Sequence, residues 1–268
     1  DLVGQHGLQG LSPAWSPVLA SFSLGYADSK ALMDYMADHP EPTVTVGIDV
    51  RRSPDAPVDV MYGDASIGPG LDGSIKPDLS APGINILSST VREPVDSGAP
   101  SSPAPLWSEL SGTSMAAAHV SGAVALLRSR HPSWTAPQVR SALLLTTATT
   151  LRRGLPAALM TVTPDDGGVG RLDIGRAIDP GILLTPPKAS FGNRVRGSKS
   201  ELTIIVNAVS RETTRWNISV VPAVGQGAPI IIRPQFVTVG PSQPVSFTVL
   251  LDSAAITNTH VYGTVLLT

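Results

Sequence analysis

The chain has 268 residues, 19 basic and 21 acidic, for a formal net charge of −2, and it contains no cysteine. Hydrophobic residues make up 42%, enough for a core, and charged residues only 15%, against roughly 25% in an average globular chain. Glycine and proline, 25 of each, are together well above the usual ~12%, so the composition excludes a disordered chain, a helical bundle and a coiled coil, and predicts many turns.

The short basic pairs Arg51-Arg52, Arg128/Arg130 and Arg152-Arg153 are too dispersed to follow a phosphate backbone, so nucleic acid is not expected as a partner. No apolar run reaches the ~18 residues of a membrane span. Without cysteine there are no disulfides, thiolate nucleophiles or Cys-based metal sites. No basic segment leads into an apolar run near Asp1, so the chain reads as a mature, processed or truncated product.

Along the chain, Val18–Leu24 reads as a strand and Gly25–Asp28 as a turn. Asp28 is placed to cap a helix over Ser29–Asp38, whose Leu32, Met33, Tyr35 and Met36 form an apolar stripe ended by Pro40 and Pro42. Thr43–Val46 alternates as a strand. Residues 59–110 are loop-rich, with a short apolar stretch at Ile84–Leu87, and Val91–Pro105 holds four prolines among Ser, Gly and Ala, the composition of a surface loop. Met115–Arg128 is Ala-, Val- and Leu-rich with almost no charge, which predicts a helix buried on most sides. Thr135 and Gln138 have capping-box spacing ahead of a second helix, Val139–Thr147.

After about residue 183 the pattern becomes β-type: Ala189–Phe191, Glu201–Val209, Trp216–Val221, Ile230–Val239, Val245–Leu251 and Val261–Leu267, separated by turns. Short alternating strands without a helical pattern predict a small β-sandwich.

The chemistry-bearing stretch is Ser111-Gly-Thr-Ser-Met-Ala-Ala-Ala-His-Val-Ser-Gly122. Gly112 and Thr113 open the helix and put Ser114 in its first turn, beside free backbone N–H groups and the positive end of the helix dipole. A serine nucleophile needs that setting, because acyl transfer places negative charge on an oxygen close to it. A Ser/Thr cap on a buried helix would carry the same local pattern.

This segment resembles the nucleophile motif of subtilisin-like serine proteases, the subtilases, in which the serine is the nucleophile. Two further blocks resemble the same family in the same order. They are Ser74-Ile-Lys-Pro-Asp-Leu-Ser-Ala-Pro-Gly-Ile-Asn-Ile-Leu-Ser-Ser89, and Gly168–Gly170 through Ala177-Ile-Asp-Pro-Gly181. The resemblance implies an α/β fold with a partial subtilisin-like parallel-sheet domain, followed by an all-β sandwich of the fibronectin-III-like kind. It implies three domains: 1–58, the tail of an inserted protease-associated domain; 59–183, the carboxy-terminal part of the catalytic domain; and 184–268, the sandwich. It further implies a secreted, extracellular serine endopeptidase acting on protein or peptide substrates. Ser114 would be its nucleophile and would also give its N–H to the oxyanion hole. Gly112, Thr113, His119, Asp78, Pro82 and Gly83 would be structural motif residues.

The chain also departs from the family. The blocks that carry the triad Asp and His are absent, and His6 lacks the family's surrounding motif. Asn85, Asn193, Asn207, Asn217 and Asn258 all fall in the wrong place for the oxyanion Asn. Ala118 stands where the family usually has Pro, and Asp64–Pro69 lacks the usual Phe and Arg. His119 follows Ser114 by five residues, about 140° around a helix, so its ring faces away from the hydroxyl and it reads as structural. Asp78 reads as a loop-fixing carboxylate, and His39, His131 and His260 as surface or loop residues with no metal-ligand spacing. No cofactor or metal is expected. The chain alone is expected to be inactive, and three readings of its incompleteness stay open: a companion amino-terminal fragment carries the triad Asp and His, the chain is one piece of a nicked protein, or its domain rearranges or associates. The competing reading is a non-catalytic fragment that acts in interaction or assembly through the edges of the sandwich.

Overall fold

The structure, a computed structural model, describes residues 26–39, 58–89, 106–154, 159–222, 230–241, 243–256 and 261–268. The strands expected at 18–24 and 43–46, the loop at 91–105, and His6 and His260 lie outside these residues. The chain divides into two compact units, one of residues 1–58 and 85–110, the other of 59–84 and 111–268.

In the first unit, helix α1 (Tyr26–Asp38) starts three residues before the expected Ser29. A Lys30–Asp34 ion pair at 2.9 Å spans one turn, and the Tyr35 and His39 rings stack at 3.9 Å. Met33, Tyr35 and Met36 of the expected stripe are exposed. The same unit holds an antiparallel pair, β1 (Ile86–Ser89) with β2 (Trp107–Leu110).

In the second unit, α2 (Thr113–Arg130) and α3 (Ala136–Leu145) are joined by a short turn. The expected capping box is present at α3: the Thr135 N–H donates to Gln138 Oε1 at 2.8 Å. Two short strands, β3 (Arg152–Arg153) and β4 (Met160–Thr161), pair antiparallel ahead of the single-turn helices α4 (Pro164–Gly167) and α5 (Ile174–Ala177). The remaining strands are β5 (Ile182–Thr185), β6 (Lys199–Ala208), β7 (Thr214–Pro222), β8 (Ile230–Arg233), β9 (Phe236–Val239), β10 (Val245–Asp252) and β11 (Gly263–Leu267). They form two sheets, ordered β5-β6-β10-β8 and β11-β7-β9, which enclose a core of Ile204, Val206, Ile218, Ile232, Val237, Val239, Phe247 and Val249.

These sheets correct the expected fold class. Every sheet among the described residues is antiparallel, and the parallel sheet expected within 59–183 is not formed. Parallel pairing is confined to isolated bridges, Val60 with Arg152 and Ser80 with Arg171. A parallel ladder needs successive strands joined by long crossovers. Here the extended segments meet through one residue each, and α3 packs on β5 of an antiparallel sheet instead.

Four further differences separate the observed elements from the expected ones. The run Ile230–Val239 is two strands, because Pro234 has no N–H to give a ladder. Ala189–Phe191 forms no strand, although Ala189 and Phe191 pack against the sandwich core. β5, not expected as a strand, is too short for its apolar residues to show a period. Helix α2 buries only Ala123 and Leu127, rather than most of its surface.

Candidate functional site

The site is built where residues 78–83 meet the start of α2. Gly112 is the N-cap of α2 with φ 154° and ψ 165°, a backbone region that essentially only glycine occupies. Its N–H donates to the Gly83 carbonyl oxygen at 2.7 Å. A Cβ on Gly83 would stand 2.8 Å from the Gly112 oxygen, so this close crossing admits only glycine without a shift. Two segments singled out separately in the sequence, 74–89 and 111–122, are thereby pinned together at Gly83 and Gly112. Pro82 is exposed beside this crossing.

Thr113 and Ser114 follow in the first turn, both exposed. The N–H groups of Met115 and Ala116 already bond to the Gly112 oxygen, at 3.1 and 3.4 Å. Among the described residues neither the Ser114 N–H nor its hydroxyl has a hydrogen-bond partner. An 18-residue helix directs its positive end at this point. Ala117, Ala118, Ser121 and Ala125 lie at helical spacing from Ser114 on the same exposed face.

His119 is turned away from the serine: its Nδ1 reaches the Met115 carbonyl oxygen, one turn back, at 3.0 Å. The described residues place no imidazole and no carboxylate at hydrogen-bond distance from Ser114. They also hold no cluster of three His, Asp or Glu side chains able to bind a metal ion. No described helix is long and apolar enough to cross a membrane.

Asp78 holds the other end of the 78–83 segment. Its Oδ1 accepts from Lys188 Nζ at 2.5 Å, and its Oδ2 from Arg140 Nη2 at 2.9 Å and Lys76 Nζ at 3.4 Å. Burial alone would raise this carboxyl, but the Lys188 hydrogen bond and charge, with Arg140 and Lys76 behind them, outweigh it and bring its pKa from 3.8 down to about 2. Lys188 also donates to the Ile75 carbonyl oxygen at 2.6 Å, and Val169 donates its N–H to the Asp78 backbone carbonyl oxygen at 3.1 Å. One carboxylate thus joins the 75–83 segment to α3 and to the segment after β5.

Lys76 is legible as a neighbour of Asp78 two residues away. Lys188, 110 residues distant, left no signal in the sequence, nor did Arg140. The same is true of the Tyr262 hydroxyl, which donates to the buried Asp165. Burial, then this hydrogen bond, pushes that phenol above its ordinary pKa.

Comparison with known proteins finds subtilisin-like proteases. The chain is 36% identical over 173 residues to Subtilisin-like protease SBT1.6 of Arabidopsis thaliana, a match covering 62% of this chain and 23% of that protein. It is 33% identical over 183 residues to the CO(2)-response secreted protease of the same plant, covering 65% and 24%. With Subtilisin-like protease SBT1.5 the match is 31% over 208 residues, covering 73% and 27%. The chain thus spans about a quarter of the length of these relatives. The subtilase family model matches residues 33–170, just over half of the chain. That match encloses both segments joined at Gly83 and Gly112, and on it the chain belongs to the subtilase family, a lineage of proteases.

Proposed function

We propose that this chain supplies the nucleophile of a subtilisin-type serine endopeptidase that cleaves protein or peptide substrates outside the cell. The observation that carries the reading is the setting of Ser114: an exposed hydroxyl in the first turn of a long helix, its own N–H unbonded, its N-cap pinned by Gly83. Ser114 Oγ attacks the carbonyl carbon of the peptide bond while its proton passes to a general base. The Ser114 N–H donates to the oxyanion that forms, and the helix dipole adds to its stabilisation. The amine leaves with the proton, and water then hydrolyses the ester on Ser114.

The base, the carboxylate that orients it and the second oxyanion donor come from a companion amino-terminal portion. Without them the rate falls by roughly 10⁴-fold or more, so the chain alone is inactive. In this reading residues 59–183 belong to the catalytic domain, 184–268 form a fibronectin-III-like domain, and 1–58 are the tail of a protease-associated insert. Gly112, Thr113, Pro82, Gly83, Asp78 and His119 shape the site without reacting. The secreted relative supports the extracellular location.

The test is intact mass before and after a fluorophosphonate probe. We expect an adduct on Ser114 only when a second, co-purifying species is present, and none in Ser114→Ala. An adduct that survives Ser114→Ala, or peptide hydrolysis by the isolated chain, would sink the reading.

One observation favours a second reading, in which the chain is a non-catalytic fragment acting through its sandwich: no described residue stands as a base beside Ser114. A soluble complex with a peptide that is unchanged in Ser114→Ala, together with a single unlabelled species, would favour it.

A further inference from the structure

Of the five asparagines, only Asn217 stands in an Asn-x-Ser/Thr sequence, as Asn217-Ile218-Ser219. Such a sequence is an acceptor for N-linked glycan where it is reachable, and many are not. Here the fold decides. Asn217 lies in β7, the middle strand of the three-stranded sheet, paired with Phe236 of β9 on one side. On the other, its backbone N–H donates to the Thr268 carbonyl oxygen at 2.8 Å and its backbone carbonyl oxygen accepts from the Thr268 N–H at 3.0 Å. The period of two then fixes which way the side chains point. Ile218 is buried in the sandwich core and Trp216 packs against it, so Asn217 and Ser219 both face outward and are exposed. Among the described residues the Asn217 side-chain amide has no hydrogen-bond partner.

The surface around Asn217 is apolar for an outer face. Phe236 is 47% exposed, Val221 50% and Leu266 40%, and Arg215 holds its guanidinium 4.0 Å from the centre of the Phe236 ring. Exposed apolar residues gathered on one sheet face call for a cover. A sugar on Asn217 would stand over its cross-strand partner, Phe236.

From this placement we propose that Asn217 is an N-glycosylation site, and that the glycan shields the outer face of the β11-β7-β9 sheet. The donor class is a lipid-pyrophosphate-linked oligosaccharide. Asn217 Nδ2 displaces the pyrophosphate from C1 of the first sugar: the N–C1 bond forms, the C1–O bond breaks with its electron pair going to pyrophosphate, and one amide proton is lost. The proposal rests on the extracellular reading above, because the donor meets the chain only in the secretory route. It also means that this sheet face does not serve as a docking surface.

The test translates the full chain behind a cleavable secretory leader in the presence of microsomes and scores only protease-protected product. The leader sets the compartment independently of where the native protein resides. The expected product carries a single glycan, which PNGase F removes, leaving aspartate at 217. It is absent in Asn217→Gln and in Ser219→Ala and present in Ser219→Thr, so a folding defect in any one variant does not decide the result. Protected product without a glycan, or a glycan that survives Asn217→Gln, overturns the proposal. The location is read separately, by tracing the native protein with an antibody. A native chain found only in the cytosol overturns the extracellular reading, and glycosylation of the native protein with it, even where the leader-directed chain is modified.

Discussion

Asp78 is a partly buried carboxylate facing three cations, and charge balance there has a pH signature. Its folded pKa lies below its ordinary value, so its ionic contacts add stability that is complete above the unfolded pKa of 3.8 and lost as pH falls toward about 2. The Arg140 and Lys76 side chains are half exposed, at 52% and 54%, and solvent screens them. Asp78→Asn is therefore expected to cost about 1 kcal/mol at neutral pH. In urea titrations the difference from wild type should shrink steadily below pH ~4, as the wild-type carboxyl takes up its proton; a difference that stays constant down to pH ~2 would remove the electrostatic account. The Lys-Pro-Asp sequence made Asp78 readable as a carboxylate that fixes a loop. What it fixes the loop to was not readable, because Lys188 and Arg140 reach it across long stretches of chain.

Helix α2 shows how little of a helix's environment follows from its composition. Its Ala, Val and Leu content predicted burial, yet the face bearing Ser114, Ala117, Ala118, Ser121 and Ala125 is exposed. Small side chains suit close packing but do not bring a neighbour with them. The start of the helix was better determined. Gly112, Thr113 and Ser114 mark it in the sequence, and the structure adds that Gly83 holds it. Gly83→Ala places a methyl group against the Gly112 oxygen and is expected to cost about 1–3 kcal/mol, read as a lower urea midpoint with an unchanged slope. Faster amide exchange should be confined to the first turn of α2 and to 78–83. Wild-type exchange at those positions would mean that the crossing is not under constraint. The strands obeyed a similar division. Long alternating runs such as Leu202–Val206 and Val245–Leu250 announced β6 and β10, while β5, with only four residues, did not.

That unannounced strand links the two parts of the second unit. Ile182 and Leu184 of β5 point into the sandwich core, and Leu183 points into the cluster of Ala123, Leu127, Val139, Ala142 and Leu143 from α2 and α3. The buried Ser141 hydroxyl of α3 accepts the Leu184 N–H at 2.7 Å. A strand that contributes alternate residues to two cores makes them unfold together. Ser141→Ala leaves the Leu184 N–H unsatisfied in the interior and is expected to cost about 1–3 kcal/mol. Hydrogen exchange should then speed up in both α3 and β6. Acceleration restricted to α3 would show that the helices and the sandwich are separate cooperative units.

The sequence by itself determined the family motif, the opening of α2 at Ser114, the capping box at Thr135 and the long alternating strands. Each of these rests on neighbours within a few residues, where side-chain period and capping chemistry act. Tertiary structure alone decided the antiparallel character of every sheet, the sharing of β5 between two cores, the cations around Asp78 and the outward face of Asn217. Those depend on which distant segments meet, and strand direction and charge pairing across that distance leave no local mark in the chain.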